Sequence, residues 1–261
     1  MKKGFLEKAA VAARQNVTAW KGRYGDLPVL PGRDRRPFLP TGQDGCAVIA
    51  EVKICSPSRG DLMGGSDPLR LAPMYTDAGA SAVSVVVEEQ YFGGSPELFE
   101  KVARSTALPL LWKDFVVDPY QIQLASSLGA SAVLLIVGML DDREMRSFLD
   151  MAARAGLRTL VEVHDLQEYE RAAASGADLI GVNNRNLVTL EVDIAVSERM
   201  APRFSEEVQT VAESGIRKPE DVARMAGAGF DAVLIGESLV TADDPAQLLQ
   251  EMVAAGSLVD A

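Results

Sequence analysis

A closed (β/α)₈ barrel is the fold class that this sequence predicts, and three observations predict it. Eight apolar, β-branched runs recur along the chain. Amphipathic segments of helical period separate them, the pattern of a parallel sheet covered by helices. Several runs follow one small-residue junction, in Ala78-Gly79-Ala80-Ser81-Ala82, Leu128-Gly129-Ala130-Ser131-Ala132, Ser175-Gly176-Ala177-Asp178 and Ala228-Gly229-Phe230-Asp231-Ala232. Glycine there closes a helix and releases the chain into the next strand. An open doubly wound sheet with eight such units would be long for its kind, whereas 261 residues suit one barrel.

Residues 1–45 precede the first strand. They hold a helical stretch with Phe5, Leu6, Ala9, Ala13, Val17 and Trp20 on its apolar positions, then a Pro/Gly/Arg-rich linker. This N-terminal extension is expected to pack across one end of the barrel. Strands are expected at Ala47–Lys53, Ala82–Glu88, Leu108–Lys113, Ala132–Val137, Arg158–Glu162, Leu179–Asn183, Val208–Glu213 and Ala232–Gly236. Helical periodicity fills Pro119–Ser127, Glu144–Ala155 and Gln167–Ala174 between them. No second domain is visible, so residues 1–261 read as a single barrel domain.

Composition bounds the function. The 26 basic and 37 acidic side chains give a net charge of -11, and no basic block stands out, which disfavours nucleic acid or an anionic membrane as partner. Lysines open the chain, but Glu7, Lys8 and Arg14 interrupt the following apolar run too early for a secretory signal. No apolar run reaches membrane-spanning length. A cytoplasmic protein is expected, a monomer or weak homo-oligomer. Its two cysteines, Cys46 and Cys55, form neither a disulfide framework nor a zinc pattern and read as free thiols.

Polar residues collect where the strands end. The first strand ends in Glu51 and Lys53, which point the same way because strand side chains alternate faces. The third ends in Lys113-Asp114, the fifth in Glu162 and His164, the sixth in Asn183-Asn184-Arg185, the seventh in Glu213-Ser214-Gly215 and the eighth in Gly236-Glu237-Ser238. Barrel active sites lie at that C-terminal rim. Lys53, Lys113 and Arg185 gather there in an acidic protein, which points to an anionic small-molecule substrate. Small residues after strands seven and eight let backbone N–H groups approach a phosphate.

Each residue also has a plainer reading. Glu51 and Lys53 could form a structural ion pair, although a buried pair stabilises poorly. Lys113 and Asp114 could end a solvated loop. His164, the only histidine, is read as a hydrogen-bonded scaffold residue, and a lone histidine excludes His-rich metal sites and two-histidine acid/base schemes. Trp112 and the methionines read as packing. Glu88 marks a loop start and could face the mouth.

In order and combination, eight segments resemble the indole-3-glycerol phosphate synthase family. They are IAEVKICSPSRG (49–60), YFGGS (91–95), KDFV (113–116), VLLIVGML (133–140), LVEVHD (160–165), IGVNNRNL (180–187), AESGI (212–216) and VLIGESL (233–239). The resemblance spans nearly the whole chain. It implies a TIM barrel that closes the indole ring of 1-(2-carboxyphenylamino)-1-deoxyribulose 5-phosphate with loss of carbon dioxide and water, without cofactor or metal.

The resemblance also implies roles. Lys113 matches the acid of ring closure, helped by a partly desolvated, cation-rich mouth that eases proton release. Lys53 matches a second catalytic lysine that holds the substrate carboxylate, with Glu51 orienting it and relaying protons. Glu162 matches an acid/base glutamate. Asn183 and Arg185 match substrate contacts, Arg185 with a planar fork suited to a carboxylate. Glu213 matches a residue orienting the site, while Ser56, Ser214, Gly215, Gly236 and Ser238 complete a phosphate cradle.

Two departures bear on substrate contact. Val86-Val87-Glu88 replaces the family's frequent Leu-Thr-Asp/Glu, removing a hydroxyl near the mouth, and Trp112 replaces a frequent arginine. The chain stops soon after its eighth helix, so a fused isomerase domain is not expected. Two other readings stay open: a neighbouring phosphate-binding barrel such as phosphoribosylanthranilate isomerase, and a non-catalytic barrel that binds a phosphate metabolite.

Overall fold

Eight parallel strands close on themselves in chain order: β1 (Ala47–Val52), β2 (Ala82–Val86), β3 (Leu110–Lys113), β4 (Ala132–Ile136), β5 (Arg158–Val163), β6 (Leu179–Asn183), β7 (Gln209–Glu213) and β8 (Ala232–Ile235). This computed structural model describes residues 4–27, 38–40, 45–187 and 189–257. Most of the expected Pro/Gly/Arg-rich linker lies outside them. Each strand sits where the sequence places it, to within two residues at either end. The Ser/Pro/Gly turn after β1 adds a small antiparallel hairpin that pairs Cys55 with Asp61 and Ser56 with Gly60.

Helices alternate with the strands: α1 (Phe5–Tyr24), α2 (Leu71–Asp77), α3 (Pro96–Ser105), α4 (Pro119–Ser127), α5 (Asp142–Arg154), α6 (Leu166–Ala174), α7 (Ala195–Met200), α8 (Pro219–Gly227), α9 (Glu237–Val240) and α10 (Pro245–Ser257). Their starts are chemically fixed. Ser95, Asp118, Asp141 and Asp165 accept hydrogen bonds from the first-turn N–H groups of α3, α4, α5 and α6. Gln121 and Glu144 complete capping boxes at α4 and α5. At the junction after α8, Gly229 has a φ of 89°, a left-handed turn open to glycine at little cost.

Alternating side chains build two apolar layers. Ile49, Leu111, Leu160 and Val211 point inward and meet Phe38 and Leu39 from the extension. The Gln209 amide donates to the Pro40 carbonyl at 3.0 Å, placing that segment below the start of β7. Outward residues, among them Val85, Val87 and Trp112, pack under the helices.

Both departures from the family pattern fall in the outer layer. Val87 is fully buried there, so the hydroxyl it lacks is not at the mouth. Trp112 packs edge-on against Trp20 of α1 at 6.0 Å and, with tilted rings, against Phe99 of α3 at 5.0 Å. It faces away from the barrel interior. Neither Val87 nor Trp112 reaches the barrel interior, because neighbouring residues along a strand point to opposite faces.

Helix α1 lies over the C-terminal end beside β2 to β4. The Trp20 indole donates to Glu89 at 2.8 Å, and Tyr120 donates to the Gly25 carbonyl at 2.9 Å. Phe5, at the other end of the helix, meets Tyr91 and Phe115 edge-on. Among the described residues no helix is long and apolar enough to cross a membrane. Removing the indole that joins α1, α3 and β3 leaves a cavity in a close-packed layer. Trp112→Ala is expected to lower stability by about 3–5 kcal/mol, read as a shift of the urea unfolding midpoint.

Candidate active site

Strand register places four charges in one buried cluster at the barrel mouth. Glu51 stands opposite Ser84 on β2, and Glu213 stands between Asn183 on β6 and Leu234 on β8. Glu51 is 2% exposed and Glu213 1%, so neither carboxylate is solvated by bulk water. Lys53 Nζ lies 2.9 Å from Glu51 Oε1. Lys113 Nζ lies between the two acids, 3.1 Å from Glu213 Oε2 and 3.4 Å from Glu51 Oε2. The Ser84 hydroxyl donates to Glu51 at 3.3 Å, a partner in the interior of β2 that the sequence reading missed.

Two glycines make room for these carboxylates. A Cβ at Gly236 would stand 2.5 Å from Glu51 Oε1, and one at Gly181 would stand 2.1 Å from Glu213 Oε1. Gly236 therefore has a steric task beside any part in a phosphate cradle. Among the described residues Glu213 Oε1 has no hydrogen-bond partner. A desolvated oxygen of that kind disfavours the charged form.

Protonation follows from these distances. Burial pushes the Glu51 carboxyl up, but Lys113 and Lys53 outweigh it and hold it at about 2. Burial dominates at Glu213 and raises it, against the pull of Lys113. Burial lowers the Lys113 ammonium, yet Glu51, Glu213 and Glu162 together reverse that and hold it above its ordinary value. This corrects the expectation of a cation-rich mouth that eases proton release. Lys113 is ringed by carboxylates, and free of ligand it is firmly charged.

Across the mouth, the Asn183 amide donates to Glu162 Oε1 at 3.0 Å, and its own carbonyl oxygen accepts the Arg185 N–H at 3.0 Å. The Arg185 guanidinium reaches the Leu190 carbonyl at 3.2 Å. Asn184, the next residue, has a different task. It donates to the Ser214 carbonyl at 3.1 Å and accepts from Ser197 N and Oγ, tying the loop after β7 to α7. Ser214 sits in the left-handed region at φ 65°, a conformation that this anchor helps to hold.

Asp114 is buried, not solvated. It accepts from Gln121 Nε2 at 2.7 Å and from Phe115 N at 2.9 Å, and burial raises its carboxyl to about 6. Glu88 is also buried and folds the loop after β2 by accepting the N–H groups of Gln90, Tyr91 and Phe92.

Two adjoining cavities share Glu51, Lys53, Lys113, Arg185 and Ser214. One is mainly apolar, walled by Phe5, Phe92, Phe115, Leu134, Leu187 and Leu190, with Ser56, Glu162 and Asn183 at its polar side. The other is polar and bounded by Ser214, Gly215, Gly236, Ser238, Arg59 and Arg217. Of the twelve residues singled out from sequence, eleven line these cavities. Glu213 lines neither and meets the site through Lys113. The Ser238 hydroxyl donates to the Ile216 carbonyl at 2.9 Å.

The apolar wall was largely missed in the sequence. Phe92 and Phe115 lie in segments already singled out, but nothing in the local pattern of the extension marks Phe5. Arg59 was missed as well; it crosses the polar cavity to Glu237 at 2.9 Å. The geometry can hold a planar apolar group beside a phosphate, with ammonium and carboxylate groups between them.

Glu51 carries a measurable consequence. Its folded-state carboxyl lies below its ordinary value, so its contribution to stability is complete above about pH 4.5 and is lost as pH falls toward about 2. Glu51→Gln is expected to destabilise the protein at pH 7 by about 3–5 kcal/mol, because two lysines lose a buried partner. Thermal unfolding of both proteins between pH 7 and pH 3 checks this: the gap should narrow below about pH 4.5.

Residues 31–252 match the family model described as indole-3-glycerol phosphate synthase. An indole-3-glycerol phosphate synthase of Carboxydothermus hydrogenoformans is 47% identical over 263 residues, covering 96% of this chain and all of that protein. One from Chlorobium luteolum is 44% identical across 92% of this chain and 94% of its own length, and one from Saccharopolyspora erythraea is 48% identical across 82% and 79%. A solved thiamine phosphate pyrophosphorylase from Pyrococcus furiosus shares the fold alone, with a TM-score of 0.61, 14% identity, and coverage of 81% of this chain and 96% of its own. By the family match along most of its length and by these identities, the chain belongs to the indole-3-glycerol phosphate synthase family.

Proposed function

We propose that the chain catalyses its family's reaction, the ring closure of 1-(2-carboxyphenylamino)-1-deoxyribulose 5-phosphate to indole-3-glycerol phosphate, with Lys113 as the acid of the first step. One observation carries this reading. Lys113 Nζ stands at the junction of an apolar and a polar cavity, charged and held by Glu51 and Glu213. The apolar wall suits the anthranilate ring, and the polar loops after β7 and β8 suit the phosphate.

In the first step the ring carbon bearing the carboxylate attacks the ribulose carbonyl carbon. The carbonyl electrons move to oxygen, which takes a proton from Lys113. An alkoxide is a stronger base than an amine, so the transfer runs downhill even from a lysine held above its ordinary pKa. The carboxylate then leaves as carbon dioxide and returns its bonding electrons to the ring.

Dehydration follows. The new hydroxyl takes a proton and leaves as water, and a base removes the proton whose loss makes the indole double bond. Glu162 and Lys53 are placed for these transfers, and Glu51 fixes Lys53. Arg185 and Lys53 hold the substrate carboxylate until it departs. Ser56, Ser214, Gly215, Gly236 and Ser238 form the phosphate side. Glu213 is a positioning residue, since it touches Lys113 and not the cavity. The free thiols of Cys46 and Cys55 support a cytoplasmic location.

Mixing the purified protein with the substrate in excess chelator and following indole fluorescence tests the reading. Turnover is expected without added metal or nucleotide. Lys113→Ala should lower kcat by about 10²–10⁴-fold while substrate still binds. Full activity in that variant removes Lys113 from the acid role. Conversion of phosphoribosylanthranilate instead would favour the isomerase reading, and tight product binding with no turnover would favour a binding barrel.

A further inference from the structure

His164 follows β5 directly, two residues beyond Glu162, and lines neither cavity. Its imidazole stands behind Glu162. Nε2 is 3.4 Å from Glu162 Oε1, and Nδ1 is 3.0 Å from Glu168 Oε2 in the first turn of α6. The backbone N–H of His164 donates to the same Glu168 oxygen at 2.8 Å. Two contacts thus fix the ring on one side. Among the described residues Nε2 is buried with no hydrogen-bond partner.

A carboxylate facing Nδ1 selects the tautomer with the proton on Nδ1, where it donates to Glu168. The Nε2 lone pair then points toward Glu162. Such an acceptor is costly to bury unless a proton visits it. We propose that His164 is a positioning and proton-relay residue for Glu162, taking protons from it while substrate fills the mouth.

The relay balances in two transfers. Glu162 takes a proton from the substrate and becomes a neutral carboxylic acid. It passes that proton to Nε2, regains its charge and leaves an imidazolium between Glu162 and Glu168. Nε2 then returns the proton to Glu162, which delivers it to the departing hydroxyl of the next turnover.

The surroundings fit an imidazolium. Burial lowers the His164 pKa, but the hydrogen bond to Glu168 and the charges of Glu162, Glu168 and Glu213 outweigh it and raise it above the ordinary value. Glu162 faces the ring from β5, Glu168 from α6 and Glu213 from β7, while Asn183 on β6 is neutral and donates to Glu162. Space for Glu168 is also built in. A Cβ at Gly138, in the loop after β4, would stand 3.2 Å from Glu168 Oε1.

This inference rests on the acid/base role proposed for Glu162, so Glu162→Gln runs beside the test. His164→Gln keeps a neutral hydrogen-bonding amide in place of the ring but cannot carry a proton. It is expected to lower kcat by about 10- to 100-fold, less than the loss of a direct acid or base, with KM unchanged and the histidine-dependent inflection gone from the kcat–pH profile. Added imidazole should restore much of the activity of His164→Ala.

Wild-type kcat across the pH range in His164→Gln overturns the relay. So does a loss that raises KM, keeps the pH profile and resists imidazole, since that is a structural defect. If Glu162→Gln is fully active, the role of Glu162 itself fails. If Glu162→Gln is inactive while His164→Gln behaves as wild type, only the relay fails.

Discussion

The Glu51 carboxylate is the constraint on which the site depends. It is buried, it bonds Lys53 at 2.9 Å and Lys113 at 3.4 Å, and it accepts the Ser84 hydroxyl. A buried acid shared by two ammonium groups is poor stabilisation, because the desolvation of three charges offsets most of their attraction. A hydrophobic cluster would fill the same space with less risk. What the arrangement secures is orientation: two cations are held at fixed positions before any anion arrives, so binding and catalysis require little reorganisation.

The barrel supplies that order through register. Adjacent parallel strands place Glu51 beside Ser84, Val86 beside Lys113, and Asn183 beside Glu213, so charged side chains from β1, β3, β5 and β7 converge on one level of the mouth. The even strands contribute the small or polar neighbours between them. Gly181 and Gly236 are the clearest instances, because any side chain there would occupy the space of Glu213 or Glu51. Loops then add what strands cannot. The loop after β2 is folded around Glu88, and the loop after β7 is tied down by Asn184, so the aryl wall and the phosphate side are both fixed by buried polar groups.

The strands and the polar rim were legible because they depend on local rules, β-branched apolar runs for the first and charged residues at strand ends for the second. Glu51, Lys53, Lys113, Glu162, Asn183 and Arg185 are visible in that way. The environment of Lys113 was not. Three carboxylates from three other strands surround it, and sequence spacing does not say which sectors of a closed barrel face each other. Phe5 was hidden for the same reason, since α1 reaches the mouth from far outside the β/α repeat. The readings of Val87 and Trp112 as changes near the substrate failed on alternation: both point to the outer layer, where Trp20 and Phe99 give Trp112 its partners.

Lys113 is a fully charged ammonium in the free protein, held by Glu51 and Glu213 in a ring of carboxylates. Nitrogen NMR of the lysine Nζ groups, assigned through Lys113→Arg and followed against pH, tests it most directly. The Lys113 signal should keep its ammonium position past the pH at which exposed lysines titrate, and Glu213→Gln should bring its titration down. A Lys113 signal that titrates below that of the exposed lysines in the unsubstituted protein would contradict it.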